Sequence, residues 1–284
     1  MWFSSVMRLT VGDTGDDVKA LQRGLNKLGS LLVVDGQFGN GTRDAIVTAC
    51  SALGLAPRMD GDDELVRALA ACPELSVDLG TAGATFIARA EIAGASEYRR
   101  RYCHPTWPSA ASGVTIGIGY DLQFVSADQF RSDWGSRIPD EACRQLVNAC
   151  GSRGSDALLG SVRDVNVPLA AAVAVFTSNT LPGTLHRTLT IYPQIADLPA
   201  ARRTALVSLV HNRGTSLADR DPATQDRREM REIRDLLAAG DLDHVADQLD
   251  RMARLWDPGL PGLVRRRHDE ATLWRSGFSA LLLD

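Results

Sequence analysis

The 284-residue chain contains no apolar run near the roughly 20 residues that a bilayer-spanning helix needs, so no membrane insertion is expected. Its five cysteines, Cys50, Cys72, Cys103, Cys143 and Cys150, are odd in number and lack paired spacing, which argues for buried free thiols over a disulfide framework. Cys103-His104 lacks the further ligands of a zinc site, and His104, His186, His211, His244 and His268 are scattered. No phosphate-cradling glycine loop precedes a helix. Neither metal nor cofactor is therefore expected. A positive charge excess is also missing: the net charge is -4, and Met1 to Leu75 holds 7 basic against 10 acidic residues, which argues against a nucleic-acid partner. The run Arg265-Arg266-Arg267 is followed by Asp269 and Glu270 and reads as a solvated or ion-paired helix face. Met1 to Thr10 has Trp2, Phe3 and Val6 but no positive n-region and no long apolar core, so it does not read as a secretory signal.

The composition is that of a globular protein, 44% hydrophobic and 23% charged, and the length favours a smaller and a larger domain, each with its own core. After Asp16-Asp17, read as a helix-capping start, Val18, Leu21, Leu25 and Leu28 recur at helical spacing until Gly29. Asp35-Gly36-Gln37-Phe38-Gly39 reads as a turn, followed by a helix with Ala45, Ile46, Ala49 and Leu53 inward. Asp60-Gly61 reads as a second such turn before a third helix, Asp62 to Ala71. This three-helix pattern resembles the peptidoglycan-binding domain of bacterial and phage wall enzymes. The resemblance rests on Gly12, Gly15, Val18, Leu21, Gln22, Asp35, Gly36, Phe38, Gly39 and Thr42. It implies peptidoglycan as a partner; a bundle without a ligand is the alternative, and no glycan-contacting residue is assigned. The expected division is residues 1–75 as this domain, 76–80 as linker and 81–284 as the second domain.

In that second part, Phe86, Ile87, Ala90 and Ile92 support a helix carrying Glu91 near its C-terminus, ahead of Gly94. The helix dipole there disfavours a charged carboxyl, which suits a general acid. An exposed glutamate, or an ion pair with Arg89 or Arg99, is the plainer alternative. From Val114 to Leu122, Val114, Ile116, Ile118 and Tyr120 alternate with Thr115, Gly117, Gly119 and Asp121, giving one apolar and one small or polar face. A straight strand would hold Thr115 and Asp121 roughly 20 Å apart, so a bend at Gly117–Gly119 is required for them to meet.

Thr115-Ile116-Gly117-Ile118-Gly119 resembles the hairpin of phage-type, lysozyme-fold muramidases. Asp121 lies six positions after Thr115, and Glu91 lies twenty-four before it. That Glu, Thr, Asp order resembles the pesticin-type muramidases and departs from the short phage lysozymes, because Tyr102 to Ala111 contain no acid. Ser208 to Thr215 is similar to the family's Asn-Arg-Gly segment, and Gly262 to Glu270 to its C-terminal Arg-rich helix. Asn212 and Arg213 are candidates to line a cleft, with a cap or salt bridge as the alternative.

The resemblance implies a fold that is mainly α with a small β-hairpin, an N-terminal three-helix peptidoglycan-binding domain joined to a lysozyme-like α+β catalytic domain. It implies hydrolysis of the bond between N-acetylmuramic acid and N-acetylglucosamine with inversion, Glu91 as general acid, Asp121 activating water and Thr115 fixing it. A monomeric endolysin, made in the host cytoplasm and acting on the wall after release, is the expected role. A secreted antibacterial effector, a lytic transglycosylase and a non-catalytic wall binder are the alternatives. Further helices are expected at Ser126-x-x-Gln129 onward, Pro139–Cys150, Leu169–Thr180, Pro199–His211, Ala223–Ala239, Leu242–Trp256 and Gly262–Arg275.

Overall fold

The computed structural model describes residues 8–108 and 111–283; the expectation resting on Trp2, Phe3 and Val6 lies outside the described residues. The chain is mainly α, with two small antiparallel two-stranded sheets among the described residues. It divides into two compact units: Met1–Leu75 with Ala88–Leu181, and Ser76–Ile87 with Pro182–Asp284. The chain changes unit between Leu75 and Ser76, returns at Ala88 inside the Gly80–Ile92 helix, and leaves again after Leu181.

In the first unit, the helices Asp16–Asn26, Asn40–Leu53 and Asp63–Ala70 close around Val18, Leu21, Leu25, Phe38, Ile46, Leu65 and Leu69. Asp16 and Asp17 prove to be first-turn residues; the N-cap is Gly15 without a side-chain cap, so these carboxylates act as charges at the positive end of the helix. Asp62 does cap its helix, accepting from the Leu65 N–H at 2.9 Å. Asp35-Gly36 turns as expected, with Gly36 at φ 72. Asp60-Gly61 instead leads into a two-residue strand, Gly61–Asp62, paired antiparallel with Arg8–Leu9. Gly61 is needed there for space: a Cβ on it would lie 2.7 Å from Leu21 Cδ2.

The same unit continues with the helices Ala127–Trp134, Asp140–Val147, Asp156–Val162 and Leu169–Val175. Ser126 Oγ accepts from the Gln129 N–H at 3.1 Å, as its position suggests. The helix expected to run to Thr180 widens to π geometry at Phe176–Thr180, where the Thr177 hydroxyl donates back to the Val173 carbonyl at 2.9 Å.

In the second unit, the helix Leu181–Ile191 from Pro182 onward, with Ala200–Arg213, Arg228–Ala239, Val245–Arg251 and Pro261–Ser276, is joined by a core that includes Leu206, Leu209, Met230, Ile233, Leu249, Met252 and Leu273. The helix expected from Ala223 starts only at Arg228. Asp219, Asp221 and Asp226 accept from the N–H groups of Arg227, Ala223 and Arg220 at 2.7 to 2.9 Å and hold the preceding residues in turns. The basic run on the last helix is ion-paired but not solvated. Arg267 and Glu270 are fully buried and 2.6 Å apart, Ser208 donates to the same carboxylate at 2.6 Å, and Arg266 donates to the Ser208 carbonyl; only Arg265 is exposed. The thiols also depart from expectation: all five are free, yet only Cys50 is buried.

Candidate functional site

The alternating pattern at Val114–Leu122 folds as a hairpin. Strands Thr115–Ile116 and Tyr120–Asp121 pair antiparallel with Thr115 opposite Asp121, and Gly117 and Gly119 take φ of 59 and 71 at the bend. Val114, Ile116, Ile118, Tyr120 and Leu122 are all buried, whereas Thr115 and Asp121 are half-buried on the other face. The apolar face is seated on an aromatic cluster. Tyr120 meets Trp134 edge-on at 5.5 Å and donates its hydroxyl proton to the buried Asp133 at 2.6 Å. A Cβ on Gly117 would lie 2.8 Å from Trp134 Cη2, so glycine lets the bend approach the indole.

The ladder fixes how close the two polar side chains come. The Leu122 N–H donates to the Val114 carbonyl at 2.9 Å, so the Thr115–Asp121 pair occupies the adjacent non-hydrogen-bonded position, where side chains stand about 4.5–5.5 Å apart at Cβ. On its other edge Thr115 exchanges two backbone hydrogen bonds with Thr106, at 2.8 and 2.9 Å. Thr106, Thr115 and Asp121 therefore form one cross-strand row. Thr106 escapes a reading of the sequence because Pro105 and Trp107-Pro108 surround it and break any strand pattern.

Asp121 is held by the main chain. Its carboxylate accepts from the Gln123 N–H at 2.9 Å and from the Gly113 N–H at 3.1 Å, and it caps the 3-10 turn Leu122–Phe124. Gly113 admits it, since a Cβ there would lie 2.5 Å from Asp121 Oδ1. At the end of that turn, Phe124 is 75% exposed. Glu91 stands half-buried on the last turn of the Gly80–Ile92 helix, which ends in Ala93 at φ 56 and Gly94 at φ 104. The guanidinium of Arg89 donates to the Leu31 carbonyl at 2.6 Å.

Asn212 is exposed, and Arg213 fills a structural position. Its guanidinium stacks over Trp256 at 5.0 Å and bonds to the Asp226 carbonyl, while burial pulls it below its ordinary guanidinium value.

In the N-terminal bundle the polar motif residues converge on Gln22, which is 2% exposed. Its amide donates to Asp35 at 2.8 Å, to the Gln37 carbonyl at 3.1 Å and to Thr42 at 3.3 Å, and accepts from the Gly36 N–H at 2.9 Å. Gln22, Asp35, Gly36 and Thr42 thus bind one another and hold the turn to the first helix.

Among the described residues, no group of three or more His, Cys, Asp or Glu is arranged to hold a metal ion. No helix in the described residues is long and apolar enough to cross a membrane. No curated protein matches the chain. Residues 14–57 match the family described as "Putative peptidoglycan binding domain", which covers the Gln22 hub and its two flanking helices, supports an N-terminal binding domain and associates the chain with the cell wall, with peptidoglycan as a partner.

Proposed function

We propose that the chain is a muramidase that cleaves the β-1,4 bond between N-acetylmuramic acid and N-acetylglucosamine, with residues 1–75 as the wall-binding domain, 76–80 as linker and 81–284 as the catalytic domain. The observation that carries this reading is the pairing of Thr115 with Asp121 on the polar face of a bent hairpin. A hydroxyl and a carboxylate whose Cβ atoms stand about 5 Å apart can hold one water molecule between them. In this reading Asp121 orients and deprotonates that water, and the Thr115 hydroxyl fixes its second hydrogen bond. Glu91 protonates the leaving glycosidic oxygen from the other side of the bond. Inversion requires the two carboxyl groups to stand about 6.5–9.5 Å apart across the bound sugar. The two backbone N–H groups on Asp121 support the role of an oriented base, since they fix the carboxylate before substrate arrives. Phe124, exposed at the end of the turn that Asp121 caps, offers an apolar platform for a sugar ring. The biological role that fits is a monomeric endolysin made in the host cytoplasm and released to the wall.

A non-catalytic wall binder is favoured by one observation, that the Asp121 contacts also serve simply to cap a turn. Mass spectrometry of digested sacculi decides between the readings. Reducing N-acetylmuramic acid ends, lost in Glu91→Gln, are expected. Anhydro-muramic ends would identify a transglycosylase, and undigested sacculi a binder.

A further inference from the structure

The first unit contains a cleft of about 760 Å³, within the size range of ligand sites, that belongs neither to the hairpin nor to the Gln22 hub. One wall is formed by Leu31, Asp44, Thr48 and their neighbours, inside the segment that matches the peptidoglycan-binding family; the other carries Arg89, Arg99 and Asn166. Among the described residues the two arginines lack carboxylate partners. Arg89 is half-buried and spends one N–H on the Leu31 carbonyl, and no acid among the described residues pairs with it. A guanidinium has five N–H donors, so most of the fork remains for a ligand. Arg99 likewise has no side-chain partner among the described residues, while its neighbours Arg100 and Arg101 both pair with Glu97. On the facing wall, Asp44 is already paired with Arg43 at 3.1 Å. The cleft is therefore cationic by two uncompensated charges.

Its backbone is shaped around Arg89. Leu31 and Ala93 both adopt positive φ, 54 and 56, and Gly94 at φ 104 leaves the space in which a Cβ would lie 2.9 Å from the guanidinium. Burial pushes Arg89 below its ordinary guanidinium value, a cost that a bound anion would remove.

We infer that this cleft is a second peptidoglycan site that takes a muropeptide, an N-acetylated sugar bearing a short peptide, by seating a peptide carboxylate between Arg89 and Arg99. Asn166 and Thr48 supply hydrogen bonds for amide and hydroxyl groups, and Leu31 an apolar floor. The inference rests on the wall-binding part of the proposed function and not on hydrolysis.

The test uses the full chain carrying Glu91→Gln, so that no ligand is consumed. Sedimentation with purified sacculi comes first, followed by calorimetric titration with a disaccharide–tetrapeptide and with the same compound amidated at its carboxyls. The free acid should bind roughly tenfold or more tightly than the amide, and Arg89→Gln or Arg99→Gln should remove most of that difference. Arg99 is exposed, so Arg99→Gln keeps the test valid if Arg89→Gln fails to fold. Equal binding of acid and amide, or an unchanged preference in Arg99→Gln, overturns the cleft while leaving wall binding intact. Absence of any sacculus binding overturns both. Displacement by free acetate at equal affinity would show a general anion site and would also overturn the muropeptide assignment.

Discussion

The Gln22 hub and the Thr115–Asp121 hairpin are built from the same materials, an acid, a threonine and glycines at positive φ, yet they use them in opposite ways. In the hub Asp35, Gly36 and Thr42 turn inward onto one buried amide and are consumed by the fold. In the hairpin the apolar side chains go inward and Thr115 and Asp121 remain half-exposed in a row. A motif matched in sequence can therefore mark a scaffold or a site, and the difference lies in which face carries the polar atoms.

The contrast can be broken most sharply at Glu91. Glu91→Gln should lower sacculus hydrolysis on the order of 10²–10⁴-fold, measured by turbidity clearing, while sedimentation with sacculi stays at the parent level. A variant that clears as fast as the parent would reduce the hairpin to a structural element like the hub. The reverse experiment is Gln22→Ala, which strands the Gly36 N–H and the Asp35 carboxylate and should cost about 2–3 kcal/mol in urea unfolding. A cost near zero would mean that water replaces the amide and that the hub does not hold the bundle. Between these lies Gly117→Ala. The positive φ and the 2.8 Å approach to Trp134 predict a loss of about 1–2 kcal/mol, with a parallel drop in hydrolysis as the Thr115–Asp121 row shifts.

The smallest effect concerns pH and the second unit. Burial is the largest single influence on the Glu229 carboxyl and raises it, but the hydrogen bond from Arg254 at 2.7 Å, the backbone hydrogen bond, the Arg254 charge and the Arg228 hydrogen bond together outweigh it and hold the group below its ordinary value of 4.5. Its contribution is therefore complete above pH 4.5 and is lost as pH falls through the lower folded value. Hydrogen exchange on acidification should show Arg228–Ala239 opening before the Gln22 bundle, and Glu229→Gln should flatten that difference.

The hairpin was legible because a period of two, interrupted by glycines, leaves few other solutions, and the cap at Ser126 was legible because capping is local, whereas Asp62, expected as the first residue of its helix, proves to be its cap. Burial of Arg266 and Arg267 was not: a charged run reads as surface, whereas Glu270, Ser208 from another helix and the Trp256 ring over Arg267 help make an interior position tolerable. Asp60-Gly61 misled for a similar reason. Its glycine answers the crowding of Leu21, a contact forty residues away in sequence, and not a turn. Thr106 and Arg89, which has no carboxylate partner among the described residues, were hidden because their significance depends wholly on what the fold sets beside them.

The discontinuous make-up of the second unit has a consequence for synthesis. Leu79, Ala84, Phe86 and Ile87 belong with Pro182–Asp284, so their apolar side chains leave the ribosome long before the helices that cover them. At about 5–20 residues per second, translating the intervening and final segments takes on the order of 10–40 s, during which the first unit can close while that short stretch stays a sticky, chaperone-accessible ribbon.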